Sequence, residues 1–410
     1  MGYGIDALNV YAGIARIGVP ELFAGRGLDP DRLANLAMAE RSVGLPFEDP
    51  VTNAVNAARP LLDALSTADR DSVELLVTST ESGVDLSKSV ASYVHEYLGL
   101  SRTCRLLEVK QACYAATAAV QLATGYLASG AAPGAKALVI ATDVALVDAR
   151  AGYAEPATGH GAAAVLVGED PRVLTIDPGA FGLYCYETLD SARPTPTFDI
   201  ADVDRSLFAY LDCLANAFDD YAGRVTDADF ARTFDRLAFH TPFAGLVRAA
   251  HRKMMRAAGV SAAEVDADFE RRVQPSLRYP SRVGNLCSGS VYLALASLLD
   301  CDTGRAPVDD GARVGLYSYG SGCSAELFSG VVDAGSRAAV RAMGIGAHLD
   351  ARRELTFGEY EDLLGDALAV LTPERDRTVD LDRWAGYLDG ARNRLVHTGI
   401  KEYHRRYEWL

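Results

Sequence analysis

No run of about 18 uncharged apolar residues occurs in the sequence, so no membrane span is expected. No CxxC pair and no histidine–cysteine spacing suited to zinc is present either, which removes structural zinc modules. The seven cysteines, Cys104, Cys113, Cys185, Cys213, Cys287, Cys301 and Cys323, are scattered and odd in number. That pattern argues for reduced thiols in a cytosol. Basic charge is short: 40 Lys and Arg face 55 Asp and Glu, a net charge of −15. Such a surface repels phosphate backbones, so nucleic acid is not an expected partner. The opening MGYGIDALNVYAG lacks a basic stretch leading into an apolar core, so no secretory leader is expected. What remains, 410 residues at 49% hydrophobic and 23% charged, describes a well-cored globular protein of two domains or two lobes.

Short strand-like runs alternate with apolar or amphipathic helices, the pattern of layered α/β proteins. SVELLVTST (72–80), RLLEVKQ (105–111), AKALVIATD (135–143) and GAAAVLVG (161–168) read as strands. FDRLAFH (234–240) and ARVGLYSYGSG (312–322) repeat the rhythm, and RYPSRVGNLCSGSVYLALASLL (278–299) parallels 105–127 as a strand or loop entering an apolar helix. Corresponding pairs in one order point to duplicated halves packed as a unit: 1–175 carrying Glu81 and Cys113, and 176–410 carrying His240 and Asn285. The helix from Cys113 to about Leu127 is apolar on almost every face and is expected to be buried. Residues 351–410 are more charged, and a helical outer segment over about 351–395 is expected to wrap the exterior.

Four strand ends carry candidate chemistry. Cys113 stands at the first turn of its helix, where unpaired N–H groups and the helix dipole would favour the thiolate; a free cysteine is also often mere core filler. His240 ends a strand before Thr-Pro, placed to act as acid or base for a thiol. Glu81 ends the matching strand of the first half, and burial there would raise its pKa. Asn285 occupies the place in the second half that the Cys113 region has in the first, able to orient His240 or donate to a carbonyl oxygen. The turn YGSGCSAE (319–326) has small residues whose N–H groups could join that of Cys113 in an oxyanion hole.

TSTESGVDLSKS with Glu81, QACYAATAAV with Cys113, FHTPF with His240 and GN with Asn285 stand in an order and spacing that resemble the 3-hydroxy-3-methylglutaryl synthases of the thiolase superfamily over nearly the whole chain. The resemblance implies an α/β thiolase-like fold, two duplicated halves packed as five layers, α-β-α-β-α. It also implies that Cys113 takes an acyl group, that Glu81 is the acid/base at the new carbon–carbon bond, and that His240 polarises the acceptor. Asn285, Ser321, Tyr319 and Pro242 would surround the substrate, with the Ser321 N–H in the oxyanion hole. No metal and no resident cofactor is implied, phosphopantetheine arriving on the substrates, and a cytoplasmic homodimer is expected.

Two subgroups of the family differ in their carriers. AFHTPFAGLVRAAHRKMMR and RPTPTFDIADVDRSLFAYLDCLANAF look like the subgroup acting on acyl carrier proteins in polyketide β-branching, and the YDFYKP-like stretch usual in the coenzyme A enzymes is missing. Arg248, Arg252 and Arg256, with Lys253 beside them, share one helix face, a basic stripe suited to an acidic carrier protein. The chain departs from the family at Ala115 and Ala116, where glycines are usual, and at Cys287, where tyrosine or a similar residue is commoner. Both departures would reshape the acyl pocket, so that propionyl is as open as acetyl. The alternatives are a decarboxylative enzyme like ketosynthase III, a primary-metabolic coenzyme A synthase, and an acyl-binding scaffold with a vestigial site.

Overall fold

In the computed structural model, which describes residues 2–144, 152–196, 198–300, 307–388 and 393–410, nine strands share one sheet. They are β1 (Tyr3–Tyr11), β2 (Val73–Ser79), β3 (Arg105–Val109), β4 (Lys136–Val144), β5 (His160–Glu169), β6 (Leu174–Cys185), β7 (Arg236–Phe239), β8 (Arg313–Gly320) and β9 (Ser324–Val332), in the order β7-β8-β9-β6-β1-β5-β4-β2-β3. β1 and β6 meet only at Gly4–Thr175 and Ile5–Leu174, so the sheet opens into two leaves. Each strand's side chains alternate between faces. Leu138 and Ile140 of β4 therefore enter one core while Ala137, Val139 and Ala141 enter another.

The helices fill those faces as layers. α1 (Pro50–Asp63) and α2 (Val90–Leu98) pack outside the first leaf. α3 (Ala115–Ala128) and α6 (Ser290–Asp300) lie between the leaves. α4 (Val203–Arg224) and α5 (Ala244–Ala257) cover the outside of the second leaf. The expected five layers are present. Along the chain, β1-α1-β2-α2-β3-α3-β4-β5 is answered by β6-α4-β7-α5-α6-β8-β9. Where the first leaf has β3, residues 280–289 form a short helix and a 3₁₀ turn instead. The 175/176 boundary falls one residue pair into β6.

Two expectations need correction. α3 is not buried all round: Leu122 is 68% exposed, on a flank that the leaves do not cover, and uniform apolarity does not say which flank that is. β3 is likewise an edge strand with Leu106 and Leu107 exposed. The 351–410 region does run over the exterior, with α7 (Phe357–Ala369) as its helix, but it also forms a β-hairpin, Leu395–Lys401 with His404–Trp409, that the charged composition concealed. Cys301 lies outside the described residues.

That hairpin is pinned by a buried ion pair. Asp49 caps α1 through the Thr52 N–H and also accepts from Arg405 at 3.0 Å and the Tyr407 hydroxyl at 2.7 Å. Burial works to raise the Asp49 carboxyl, but Arg405 and its other partners outweigh it and hold the carboxyl below its ordinary value. Arg405→Met strands a buried carboxylate, so unfolding by denaturant should show a loss of about 3–5 kcal/mol at neutral pH. A lowered folded-state pKa contributes stability above the unfolded value and loses it as pH falls, so the deficit should shrink below about pH 4.

Candidate active site

β3 ends at Val109, and the chain turns through Ala112, whose φ of 43° is unusual for a residue with a side chain. That turn delivers Cys113 just ahead of α3. Its thiol donates to Glu81 Oε1 at 3.0 Å. The thiolate expected from the helix terminus is not what forms. The Cys287 thiol, hydrogen-bonded to Cys113, pulls its pKa down, but desolvation and the Glu81 carboxylate outweigh this and push it up to about 12. The thiol rests neutral, because burial beside a carboxylate costs a thiolate more than a helix terminus returns.

Glu81 leaves the end of β2 on a turn that Asp143, near the end of β4, holds from below. Asp143 Oδ1 accepts from the Glu81 N–H at 2.7 Å, the Ser82 hydroxyl at 3.1 Å and the Thr80 hydroxyl at 3.2 Å. The guanidinium of Arg193, paired with Asp199, donates to the Glu81 carbonyl at 3.1 Å. Burial and the Glu81 charge push the Asp143 carboxyl up to about 8, with Arg193 opposing. The second carboxyl of this site escaped the sequence reading, although its signal, an acidic residue closing a buried strand, was the one that singled out Glu81.

His240 is the residue after β7, fixed by its N–H to the Tyr317 carbonyl at 2.7 Å and by the Tyr210 hydroxyl on its own carbonyl at 2.7 Å. Burial drives its pKa down to about 3, a hydrogen bond from the ring to the Cys287 backbone opposing. The imidazole is therefore neutral and can act only as an N–H donor or a weak base. Among the described residues the Cys113 thiol donates to Glu81 and not to His240. Asn285 orients the Cys287 loop: its Oδ1 accepts from the Cys287 N–H at 3.0 Å and from the Ser290 hydroxyl at 2.8 Å. Both neighbours are donors, so the Asn285 NH₂ is the end left for a substrate carbonyl.

The turn after β8 lies on the Cys113 loop. At Gly320 a Cβ would stand 2.6 Å from both the Gln111 carbonyl oxygen and the Tyr114 nitrogen, so only glycine permits the approach. Ser321 follows directly. The Tyr319 hydroxyl donates to Asp190 Oδ2 at 2.6 Å and the Gly322 N–H to Asp190 Oδ1 at 2.8 Å. Tyr319 is thus a buried wall beside His240, with its hydroxyl committed, and Asp190, a loop residue without any sequence signal, sets the turn. Pro242 is half-buried two residues beyond His240. On α5, Arg248, Arg252, Lys253 and Arg256 are exposed. Arg248 pairs with Glu270 and Lys253 with Asp212.

Residues 31–172 match the family model for the N-terminal part of hydroxymethylglutaryl-coenzyme A synthase, and 256–368 match its C-terminal part. A curated relative, the polyketide biosynthesis 3-hydroxy-3-methylglutaryl-ACP synthase PksG of Bacillus subtilis, is 47% identical over 99% of each chain. The chain belongs to the hydroxymethylglutaryl synthase family. The hydroxymethylglutaryl-CoA synthase of Enterococcus faecalis is 34% identical, covering 90% of this chain and 93% of its own. The curacin pathway HMG synthase, solved with an acetyl donor-ACP, superposes with a TM-score of 0.96 at 45% identity over 100% of both chains.

As a member of this synthase family the chain is a carbon–carbon bond-forming, acyl-condensing enzyme. Cys113, Glu81, His240 and the Cys287 loop meet at the seam between the two leaves. Asp143 Oδ2 is buried without a partner, and below about pH 8 it carries a proton beside the Glu81 charge. Losing that proton places a second negative charge beside the Glu81 carboxylate. The condensation rate should therefore fall along a basic limb near pH 8. Asp143→Asn, which keeps the accepting oxygen and replaces the protonated one with NH₂, should abolish that limb in a pH–rate profile.

Proposed function

We propose that this synthase condenses an acetyl group from a donor acyl carrier protein with the β-ketone of a carrier-bound polyketide, installing a β-branch. The observation that carries this is the 3.0 Å contact of the Cys113 thiol with Glu81, a nucleophile and a carboxylate base at one point. PksG and the curacin synthase, one named for its ACP substrate and the other solved with a donor-ACP, support the carrier. Arg252 and Arg256, which make no ion pair among the described residues, support docking of an acidic carrier protein on α5.

Cys113 attacks the donor thioester, and its proton passes to the departing phosphopantetheine thiol. Backbone N–H groups of Cys113 and Ser321 hold the tetrahedral oxyanion. Glu81 then removes a proton from the acetyl α-carbon, and the enolate attacks the acceptor ketone. The neutral His240 turns its single N–H from the Cys287 carbonyl to that ketone oxygen, Asn285 NH₂ binds a carbonyl, and Glu81 returns its proton to the new alkoxide. Water cleaves the Cys113 thioester, leaving a carboxymethyl branch and a tertiary alcohol. The synthase works in the cytoplasm, without a resident cofactor, as a homodimer that covers Leu106, Leu107 and Leu122. The halves 1–175 and 176–410 each contribute one side of the site.

Incubating the protein with acetyl-loaded donor and β-ketoacyl acceptor carrier proteins should give an acceptor heavier by acetyl plus water on intact mass. Cys113→Ala should give none. Glu81→Ala should lower condensation by about 10²–10⁴-fold yet retain acylation of Cys113, since removing the carboxylate eases thiolate formation. A product appearing only with a malonyl donor and loss of carbon dioxide would instead establish the ketosynthase III-like reaction. Equal turnover with acetyl-coenzyme A and acetoacetyl-coenzyme A would establish the primary-metabolic one.

A further inference from the structure

Cys287 is the one side chain at the centre of the site to which the mechanism gives no task. Its sulfur, the Cys113 sulfur and a Glu81 carboxylate oxygen all lie within 4.8 Å of one another. An acyl α-carbon on Cys113 is two bonds from the sulfur and must stand at Glu81 to lose its proton. A carbon in that position lies in the space that the Glu81 carboxylate and the Cys287 thiol bound. A methyl group added to it on the Cys287 side either collides with that thiol or moves the loop.

The loop is poorly able to move. Cys287 has a φ of 48°, and its N–H is held by Asn285 Oδ1 at 3.0 Å. Next along the chain, the Ser288 hydroxyl bonds that of Ser79 at 2.8 Å. At Gly289 a Cβ would already stand 3.4 Å from those of Ala141 and Ala163. With the backbone clamped between the two leaves, the volume of the side chain at 287 alone sets the free space beside the α-carbon.

We infer that Cys287 determines donor specificity, its thiol closing the acyl pocket behind an acetyl methyl and excluding the α-methyl of a propionyl group. The inference rests on the proposed acylation of Cys113 and names what selects among its donors. Glycine adopts a φ of 48° without strain, so Cys287→Gly enlarges the pocket without loading the backbone. Serine keeps nearly the size of cysteine without its sulfur, and methionine adds bulk.

The test is a competition: equimolar acetyl- and propionyl-loaded donor carrier proteins, with acyl occupancy of Cys113 read by intact mass. Cys287→Gly should raise the propionyl-to-acetyl ratio about tenfold or more, the usual discrimination for one methylene. Cys287→Ser should stay within about threefold of the parent ratio, and Cys287→Met should lower acetyl occupancy about tenfold. An unchanged ratio in Cys287→Gly, or an equal shift in Cys287→Gly and Cys287→Ser, overturns the inference while acylation itself stands. Failure of the parent protein to acylate from either donor overturns the proposed function, and this inference with it.

Discussion

A half-buried carboxylate held against a half-buried thiol is the constraint around which this protein is arranged. Glu81 and Cys113 come from separate strands of one leaf, and their 3.0 Å contact is held where desolvation and the carboxylate together disfavour the thiolate. The fold meets that cost with Asp143, which fixes the Glu81 turn, and with Arg193, whose positive charge faces the same cluster. The thiol is kept protonated and is not stored as a standing thiolate.

The layered scaffold explains how such a site is kept rigid. Each leaf buries both faces, so the strand ends bearing Glu81, Asp143 and His240 are fixed by packing on two sides. The seam between the leaves brings the Cys113 loop, the Cys287 loop and the turn after β8 together. At Gly320 the approach is so close that a single Cβ would stand 2.6 Å from the backbone opposite. Division of labour follows from charge state: the neutral His240 is suited to hydrogen-bonding a ketone oxygen, and the carboxylate of Glu81 to moving protons.

The layers were legible in the sequence because strand alternation and apolar helices follow from local periodicity. Most candidate residues were legible for a related reason, each closing a strand or opening a helix. The 395–409 hairpin was not, since its charged alternation resembles an exposed helix until it finds α1 to pack on. Asp190 gave no signal either: a loop aspartate acquires its role only when the Tyr319 hydroxyl and the Gly322 N–H reach it.

By itself the sequence determined the layered α/β class, the strand-end placement of Glu81, Cys113 and His240, and the resemblance those residues carry, which in turn implied five layers. These depend on residue periodicity and spacing, which are properties of neighbours along the chain. Only the tertiary structure decided the protonation states. The helix terminus that should have ionised Cys113 lost to burial beside Glu81, and His240 was left neutral by a desolvated seat next to the Cys287 backbone. Desolvation and charge proximity are set by which distant segments close over a group, and no local stretch of sequence contains that information.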